Sequence, residues 1–341
     1  MKIIADPLIP HVREAFAVLG EVSFCDGRSI MSETVRDADM LLVRSVTPVN
    51  ADLLRGSRVH FVASATSGID HVDTDYLDGA GIGFAHAPGC NAQSVVEYVL
   101  SSMLVLARKY DFRLQEKTAG IIGCGQVGSR LLRALEILDV RCLVNDPPLQ
   151  ERTGDSGFVA IEELLSADLI SLHVPLTESG AWPTRDLVNR GFLQQLTPGS
   201  ILVNTSRGDV VDEKALSELV DRRQHGVVLD VWRGEPAIDR GLLASVDIGT
   251  PHIAGYSLDG KIRATTMIRQ AACEYFSIDT EMTTDEPAVL PGGRTMRLSG
   301  DVGLHDGLEL AILWHYDVRS DSAALRRVLE VDPAETADWF D

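Results

Sequence analysis

The sequence predicts an α/β protein with two lobes, each a doubly wound parallel sheet, and a small α+β module at the carboxyl end. Three observations predict this fold class. Short apolar runs alternate with helical patterns along the first 90 residues, the same alternation returns after about residue 118, and a glycine-rich turn joins a strand to a helix at Gly123–Gly128. Such alternation is typical of parallel sheets covered by helices on both faces.

The first lobe is predicted from four short apolar runs. Its strands are expected at 2–5, 40–43, 60–64 and 82–85. Helical patterns separate these strands, near 10–19, 50–55 and 73–80. An amphipathic helix from Ser257 to about Asp279 is expected to return to this lobe. The first lobe is therefore predicted to be discontinuous, comprising residues 1–93 and 257–280.

The second lobe is predicted to comprise residues 94–256 and to open with a long, largely apolar helix that spans Asn91 to Arg108. Its strands are expected at 119–123, 140–145, 168–172, 200–205, 226–231 and 246–249. Six strands separated by helices is the content of a Rossmann domain.

Residues 281–341 are predicted to form a short module of their own. The stretch 281–294, which is rich in proline and glycine, is typical of a linker. A strand at 295–298, a helix at 304–315 and a second strand are expected to follow it. This fragment is too small to fold alone, so we expect it to dock on the body of the protein or on a second subunit.

The composition excludes several classes of protein. A net charge of −19 argues against non-specific binding to nucleic acid or to an anionic membrane. The most apolar helix, Val95–Ala107, is too short to span a bilayer. Five widely spaced cysteines predict neither a disulfide framework nor a metal site, and they favour the reducing cytoplasm. The amino terminus does not have the pattern of a secretory signal.

The glycine-rich turn predicts a dinucleotide site. In the sequence GCGQVG, the first glycine permits a tight turn, the second lets a pyrophosphate approach the backbone, and the third lets the helix pack on the strand. Asp146 follows the next strand, where a carboxylate binds the ribose hydroxyls and favours NAD over NADP. The alternatives are a chance glycine match and a simple turn at Asp146. The predicted cofactor residues here are Gly123, Gly125, Gln126, Val127, Gly128 and Asp146.

Polar side chains after three later strands predict the chemistry. His252 is suited to exchange a hydroxyl proton while hydride leaves the neighbouring carbon, because both of its protonation states are accessible near neutral pH. Glu235 is the candidate to orient the imidazole, and Arg207 can bind a substrate carboxylate with its planar fork. Asp230 is expected to accept a hydrogen bond from the nicotinamide carboxamide. Each residue alone also fits an ordinary turn.

The order of these motifs resembles the D-isomer-specific 2-hydroxyacid dehydrogenases over about residues 1–280. The matching segments are 123–128, 173–177, 204–208, 229–236 and 250–255. The resemblance implies that Arg207, Glu235 and His252 are catalytic and that the first lobe has a flavodoxin-like sheet. The further cofactor residues that it implies are Val174, Pro175, Thr205, Ser206 and Gly255.

A narrower resemblance is to the branch of this family that oxidises 4-phospho-D-erythronate in the route to pyridoxal 5′-phosphate. It is carried by segments 43–48, 65–71, 87–98, 228–232, 247–256 and 316–319. It implies that Ser45, Thr66 and Tyr256 bind substrate, that Arg44 adds the charge a phosphate needs, and that the tail makes a homodimer. Members of the branch usually continue beyond Asp341, so a shortened module is expected.

Three other functions remain open at this point. One is a different dehydrogenase of the same family, acting on phosphoglycerate, glycerate or lactate, since the catalytic set does not separate these substrates. Another is an NAD-sensing protein that resembles a transcriptional corepressor. The third is a relative that binds NAD without turnover.

Overall fold

The structure is a computed structural model that describes residues 1–220, 226–279 and 295–327. By the packing of its backbone, the chain divides into two compact units. Unit 1 comprises residues 1–91 and 256–294, and unit 2 comprises residues 92–255 and 295–341. The described part of the tail, residues 295–327, therefore groups with unit 2. The predicted third domain and the exact domain boundaries stay predictions.

The helices and strands follow one another in the alternating order that the sequence predicts. In chain order they are β1 (Lys2–Ala5), α1 (Val12–Phe16), β2 (Glu21–Phe24), α2 (Ser32–Val35), β3 (Met40–Val43), α3 (Ala51–Leu54), β4 (Phe61–Ser64), α4 (Thr74–Gly79), β5 (Gly83–His86), α5 (Ala92–Tyr110), β6 (Thr118–Ile122), α6 (Gly128–Ile137), β7 (Arg141–Asn145), α7 (Pro147–Thr153), β8 (Leu169–Leu172), α8 (Arg190–Gln195), β9 (Ile201–Asn204), α9 (Glu213–Val220), β10 (Gly226–Leu229), α10 (Arg240–Ser245), β11 (Ile248–Gly249), α11 (Leu258–Tyr275), α12 (Leu304–His315) and α13 (Arg319–Arg327).

Unit 1 contains one parallel sheet with the strand order β2-β1-β3-β4-β5. This is the flavodoxin-like order, so that prediction is confirmed. Successive residues of β3 face opposite sides of the sheet: Met40 and Leu42 pack with α1 and α11, whereas Leu41 and Val43 pack with α2, α3 and α4. All four residues are fully buried, as expected for a strand covered on both faces.

Unit 2 contains a six-stranded parallel sheet with the order β11-β10-β9-β8-β6-β7. The order reverses between β6 and β8, and ligands of such sheets bind at this switch point, beyond the carboxyl ends of the strands. A third strand beside β7 would complete the usual Rossmann order. In its place, the backbone N–H of Val159 donates to the carbonyl of Val144 at 2.8 Å.

The described part of the tail packs within unit 2. Helix α12 packs on α5, and α13 lies along β11, the outermost strand of the sheet. The hydroxyl oxygen of Ser322 accepts the backbone N–H of Gly249 at 3.2 Å. The Arg326 guanidinium donates to the carbonyls of Leu243 and Val246 at the end of α10. These contacts attach the tail to the edge of the sheet.

The predicted strand–helix–strand order of the tail is wrong within the described residues. Residues 295–298 form no strand, and within 295–327 helix α12 is followed by a second helix, α13. The alternation of apolar and polar residues over 295–298 favours a strand, but no neighbouring strand pairs with this segment within the described chain.

The described residues lack two features that would indicate membrane or metal partners. Within 1–220, 226–279 and 295–327, no helix combines the length and the apolarity needed to cross a membrane. The same ranges hold no group of three or more His, Cys, Asp or Glu side chains placed to bind a metal ion. All five cysteines lie in the described ranges and are free thiols.

Candidate active site

The glycine-rich turn between β6 and α6 has the geometry that a pyrophosphate site needs. Gly123 has φ 90°, a left-handed conformation that favours glycine. A methyl group at Gly128 would lie 1.9 Å from the carbonyl oxygen of Gly123, so the third glycine of the motif is required for packing. A methyl group at Gly125 would meet nothing within 4 Å, which leaves the backbone there open to a ligand. The turn therefore fits a dinucleotide at the start of α6.

Asp146 lies beside this turn. One carboxylate oxygen accepts the backbone N–H of Cys124 at 2.7 Å, and the other accepts that of Leu149 at 2.9 Å, which caps α7. The carboxylate is thus fixed at the end of β7, the strand next to β6. This is the position from which a carboxylate reaches the hydroxyls of an adenosine ribose.

The structure brings His252 and Glu235 together. The Nδ1 atom of His252 lies 2.5 Å from Oε1 of Glu235. Because a carboxylate only accepts hydrogen bonds, Nδ1 carries the proton and Nε2 is the nitrogen left to exchange one. The other oxygen of Glu235 accepts the backbone N–H of Trp232 at 3.1 Å, so the carboxylate is held at both ends.

The electrostatics around His252 suit a base. Burial among protein atoms lowers its pKa, but the hydrogen bond and charge of Glu235, together with the charge of Asp230, outweigh burial and raise the pKa above its usual value. The guanidinium of Arg207 is near enough to lower the same pKa. The side chain nevertheless has 41% of its surface exposed, which gives a reactant access to the ring. The three predicted catalytic residues therefore act on one another within unit 2.

Asp230 holds the loop that carries His252. It is 1% exposed, and its carboxylate accepts hydrogen bonds from the Thr250 hydroxyl and from the backbone N–H groups of Ile253 and Ala254. The backbone N–H of His252 donates to the Asp230 carbonyl at 2.7 Å, while His252 itself has φ 56°. These bonds stabilise a left-handed conformation that is uncommon outside glycine. The predicted contact of Asp230 with the carboxamide stays a prediction.

A second histidine supports the predicted cofactor loops. Burial lowers the pKa of His173 to about 3, so its imidazole is neutral near pH 7. It lies 2.9 Å from the Ser171 hydroxyl and 3.4 Å from that of Thr205. The other predicted cofactor residues lie in the turns that follow β6, β8, β9 and β11: Gln126, Val127, Val174, Pro175, Ser206 and Gly255.

Unit 1 carries the predicted substrate residues. At the end of β3, Nε of Arg44 lies 2.9 Å from Oδ2 of Asp6, which is fully buried. This ion pair fixes the guanidinium beside Ser45, whose side chain is exposed. At the end of β4, the Thr66 hydroxyl donates to the carbonyl of Gly68 at 2.7 Å and lies 2.7 Å from the Ser64 hydroxyl.

Tyr256, the fourth predicted substrate residue, is also in unit 1. The residue is 57% exposed, and Nζ of Lys261 lies 3.3 Å from the ring centroid. The geometry is that of a cation–π contact. Lys261 thus adds a positive charge next to a predicted substrate residue.

Sequence reasoning missed three side chains that the structure places at these loops. Lys261 lies against Tyr256, Nε2 of His71 lies 2.8 Å from the Ser64 hydroxyl, and Glu213 contacts the loop that carries Glu235. A signal for Glu213 was available, because it follows the Arg207–Gly208 turn by only a few residues and opens a helix with a charge that becomes buried. The other two contacts depend on loop geometry that no sequence pattern describes.

The comparisons with known proteins agree with this geometry. Residues 103–254 match the family model described as D-isomer specific 2-hydroxyacid dehydrogenase, NAD binding domain. A protein of Hahella chejuensis named erythronate-4-phosphate dehydrogenase is 46% identical, with 100% of this chain and 90% of that protein covered. A protein of the same name from Cronobacter sakazakii is 47% identical, with 96% of this chain and 87% of that protein covered.

The chain belongs to the D-isomer-specific 2-hydroxyacid dehydrogenase family. The predicted family resemblance is confirmed, and the matched domain identifies NAD as the cofactor. The solved structure of NAD⁺-bound 3-phosphoglycerate dehydrogenase from Entamoeba histolytica has the same fold, with a TM-score of 0.70 and 25% identity over 81% of this chain and 95% of that chain. The roles of individual site residues in this family member stay predictions.

Proposed function

We propose that this chain oxidises the C2 hydroxyl of 4-phospho-D-erythronate to (R)-3-hydroxy-2-oxo-4-phosphobutanoate, with NAD as the hydride acceptor, in pyridoxal 5′-phosphate biosynthesis. The observation that carries the proposal is the 46% identity, along the whole chain, to a protein named for this activity. The pairing of His252 with Glu235, with Arg207 nearby, supports it, because the reaction needs a base and a carboxylate-binding cation.

The proposed mechanism uses three side chains of unit 2. Nε2 of His252 accepts the hydroxyl proton as the C2–H bond breaks, and NAD, when bound, supplies the ring carbon that accepts the hydride. Glu235 stabilises the imidazolium that forms and keeps Nδ1 protonated throughout. Arg207 binds the substrate carboxylate and stabilises negative charge on the neighbouring oxygen.

Unit 1 is proposed to bind the phosphate. The Arg44 guanidinium, fixed by Asp6, supplies positive charge, and the exposed Ser45 hydroxyl supplies a hydrogen bond. The Thr66 hydroxyl donates to the Gly68 carbonyl, so it can donate to the phosphate only by turning away from that carbonyl when substrate binds. Charge-assisted hydrogen bonds of this kind are about twice as strong as neutral ones. Binding energy from the phosphate, which does not react, can then orient the C2 centre.

A substrate panel tests the proposed function. The purified protein is given NAD with 4-phospho-D-erythronate, D-erythronate, 3-phospho-D-glycerate or D-lactate, and formation of reduced nicotinamide is followed by absorbance. We expect kcat/KM for 4-phospho-D-erythronate to exceed that for D-erythronate by at least about 100-fold, because the phosphate contacts contribute roughly 3 kcal/mol. Equal rates on D-lactate would reject the proposed substrate, and no reduction with any acid would reject dehydrogenase activity.

We also propose a homodimer formed through the tail. Helix α12 and the segment before it expose large apolar side chains, a feature typical of protein interfaces: Leu298, Leu304, Leu310 and Trp314. The substitution Trp314→Glu is expected to convert the dimer to a monomer in light scattering after gel filtration. A wild-type protein that is monomeric at micromolar concentration would contradict this proposal.

A cytoplasmic location without nucleic-acid or membrane partners completes the proposal. The odd number of widely spaced cysteines, all free thiols, fits a reducing compartment. A net charge of −19 disfavours binding to polyanions.

A further inference from the structure

We propose that Glu213 is a positioning residue for the proton transfer, acting through the loop that carries Glu235. The inference rests on the proposed dehydrogenase function. Glu213 is the first residue of α9, and only 9% of it is exposed. A buried carboxylate is costly unless it is paired or hydrogen-bonded, so its partner indicates its role.

The partner of Glu213 is the backbone of the catalytic loop. Its Oε1 atom accepts the N–H of Arg233 at 2.6 Å. The preceding N–H, that of Trp232, donates to Glu235 at 3.1 Å. Two consecutive N–H groups of one turn are therefore bound by two glutamates. One of these glutamates anchors the turn, and the other contacts His252.

The turn that carries Arg207 packs against the opposite side of the Trp232–Arg233 peptide. A methyl group at Gly208 would lie 2.1 Å from the carbonyl carbon of Trp232, so this backbone packs directly on the Trp232–Arg233 peptide. The Trp232 indole donates to the carbonyl of Thr250 at 2.8 Å. The peptide that Glu213 binds thus lies at the junction of the three catalytic turns.

The Arg233 side chain bonds to groups other than Glu213. The contact between Glu213 and the Arg233 backbone is therefore not part of a simple side-chain ion pair. Its guanidinium contacts Asp186, lies 3.0 Å from Asp209, and donates to the carbonyl of Val211 at 3.1 Å. What Glu213 adds is the hydrogen bond to the Arg233 N–H, and that bond sets the angle of the peptide.

The charge of Glu213 is not needed for this role. Burial raises its pKa to about 7; the Arg233 N–H and guanidinium oppose the shift, and Asp239 and Asp209 add to it. A carboxyl oxygen accepts an N–H in either protonation state. The proposal therefore predicts that a glutamine, which keeps the acceptor, replaces Glu213 with little loss.

Three variants test the proposal. Glu213→Met keeps the length of the side chain but removes the acceptor, Glu213→Gln keeps it, and Glu218→Gln alters an exposed glutamate of the same helix that pairs with Arg190. With 4-phospho-D-erythronate we expect kcat of the methionine variant to fall by about 10- to 100-fold, because small misplacements of catalytic groups cost this much. The glutamine and control variants should stay within about threefold of wild type.

The pH dependence distinguishes positioning from a merely structural role. Loss of Glu235 alignment lowers the pKa of His252, so the acidic limb of the kcat profile should move to lower pH in the methionine variant. Equal losses in the methionine and glutamine variants, or a uniform fall in rate without movement of the limb, would overturn the proposal.

The inference can fail separately from the proposed function. The pKa of His252 is followed by NMR of ¹³C-labelled imidazole, with the signal assigned by its absence in His252→Asn. A lower pKa in Glu213→Met supports positioning even if wild type oxidises none of the acids, whereas an unchanged pKa rejects positioning even if wild type is active.

Discussion

The two sheets of this chain share a doubly wound parallel plan, yet the side chains at their carboxyl ends differ in kind. In unit 2 these ends carry the His252–Glu235 pair, in which a proton can change place. In unit 1 they carry the Arg44–Asp6 ion pair and exposed or hydrogen-bonded hydroxyls. The difference shows how one architecture serves two tasks: the unit that moves a proton has a titratable pair, and the unit proposed to bind phosphate has a fixed charge.

If this division of tasks holds, variants in unit 2 should lower kcat and variants in unit 1 should raise KM. The largest effect is expected for His252→Ala, which removes the base. We expect kcat to fall by about 10²- to 10⁴-fold, with little change in NAD affinity measured by quenching of protein fluorescence. The variant His60→Ala, at an exposed position of unit 1, is the control. Near-normal turnover by the His252→Ala enzyme would show that His252 is not the base and that unit 2 does not provide the proton transfer by this residue.

Glu235→Gln should have the next largest effect. The carboxylate raises the pKa of His252, and its removal lets burial and Arg207 lower that pKa. Oxidation needs the neutral imidazole, so the acidic limb of the kcat profile should move to lower pH. The maximal kcat should fall by roughly 100-fold, because the amide no longer stabilises the imidazolium. An unmoved limb would show that Glu235 does not govern the titration.

A smaller effect, on KM, is expected for Ser45→Ala in unit 1. The loss of one hydrogen bond to a charged phosphate should raise KM for 4-phospho-D-erythronate by about tenfold and leave kcat within about threefold. Ser32→Ala, at the half-buried start of α2, provides the control. If Ser45→Ala instead lowers kcat at constant KM, the contrast between the units fails.

The smallest effect is expected for Tyr98→Phe, below the catalytic loop of unit 2. The Thr250 hydroxyl donates to Asp230, so the Tyr98 hydroxyl, 2.6 Å away, must donate to Thr250. Its removal should reduce the free energy of unfolding by about 1 kcal/mol and kcat by a few-fold. The free energy of unfolding is measured by denaturant titration of Tyr98→Phe and of a control, Tyr275→Phe. The Tyr275 hydroxyl donates to the carbonyl of His60 at the surface of unit 1. A larger loss of stability in the Tyr275 variant would contradict the importance of this buried chain of hydrogen bonds.

The sequence predicts the strands that form apolar runs and misses the one that does not. Strands β1 and β3 lie at their predicted positions because both are buried on two faces and form unbroken apolar runs. Strand β2 was missed because only Val22 of Glu21–Phe24 is buried, so the segment contains no apolar run. The strand predicted over 295–298 fails for the opposite reason, since it has the alternation of a strand without a partner.

The candidate site divides in the same way. Arg207, Glu235 and His252 were identified because each follows a buried strand within a recognisable motif. The anchoring contacts of Asp230 and Glu213 were not predicted, because they connect side chains to backbone groups of other loops, and sequence spacing does not record such contacts. The left-handed conformation of His252 was equally hidden, since histidine gives no signal of it.

The position of α13 has a consequence for the solubility of the protein. An outermost strand offers unpaired backbone groups to strands of other molecules, and proteins avoid such self-association by covering or shortening their edges. Here β11 has only two residues, and Ser322 takes the N–H of Gly249. Helix α13 therefore protects the sheet against strand-to-strand aggregation. Substitutions that disrupt α13 should first reduce the yield of soluble protein during expression.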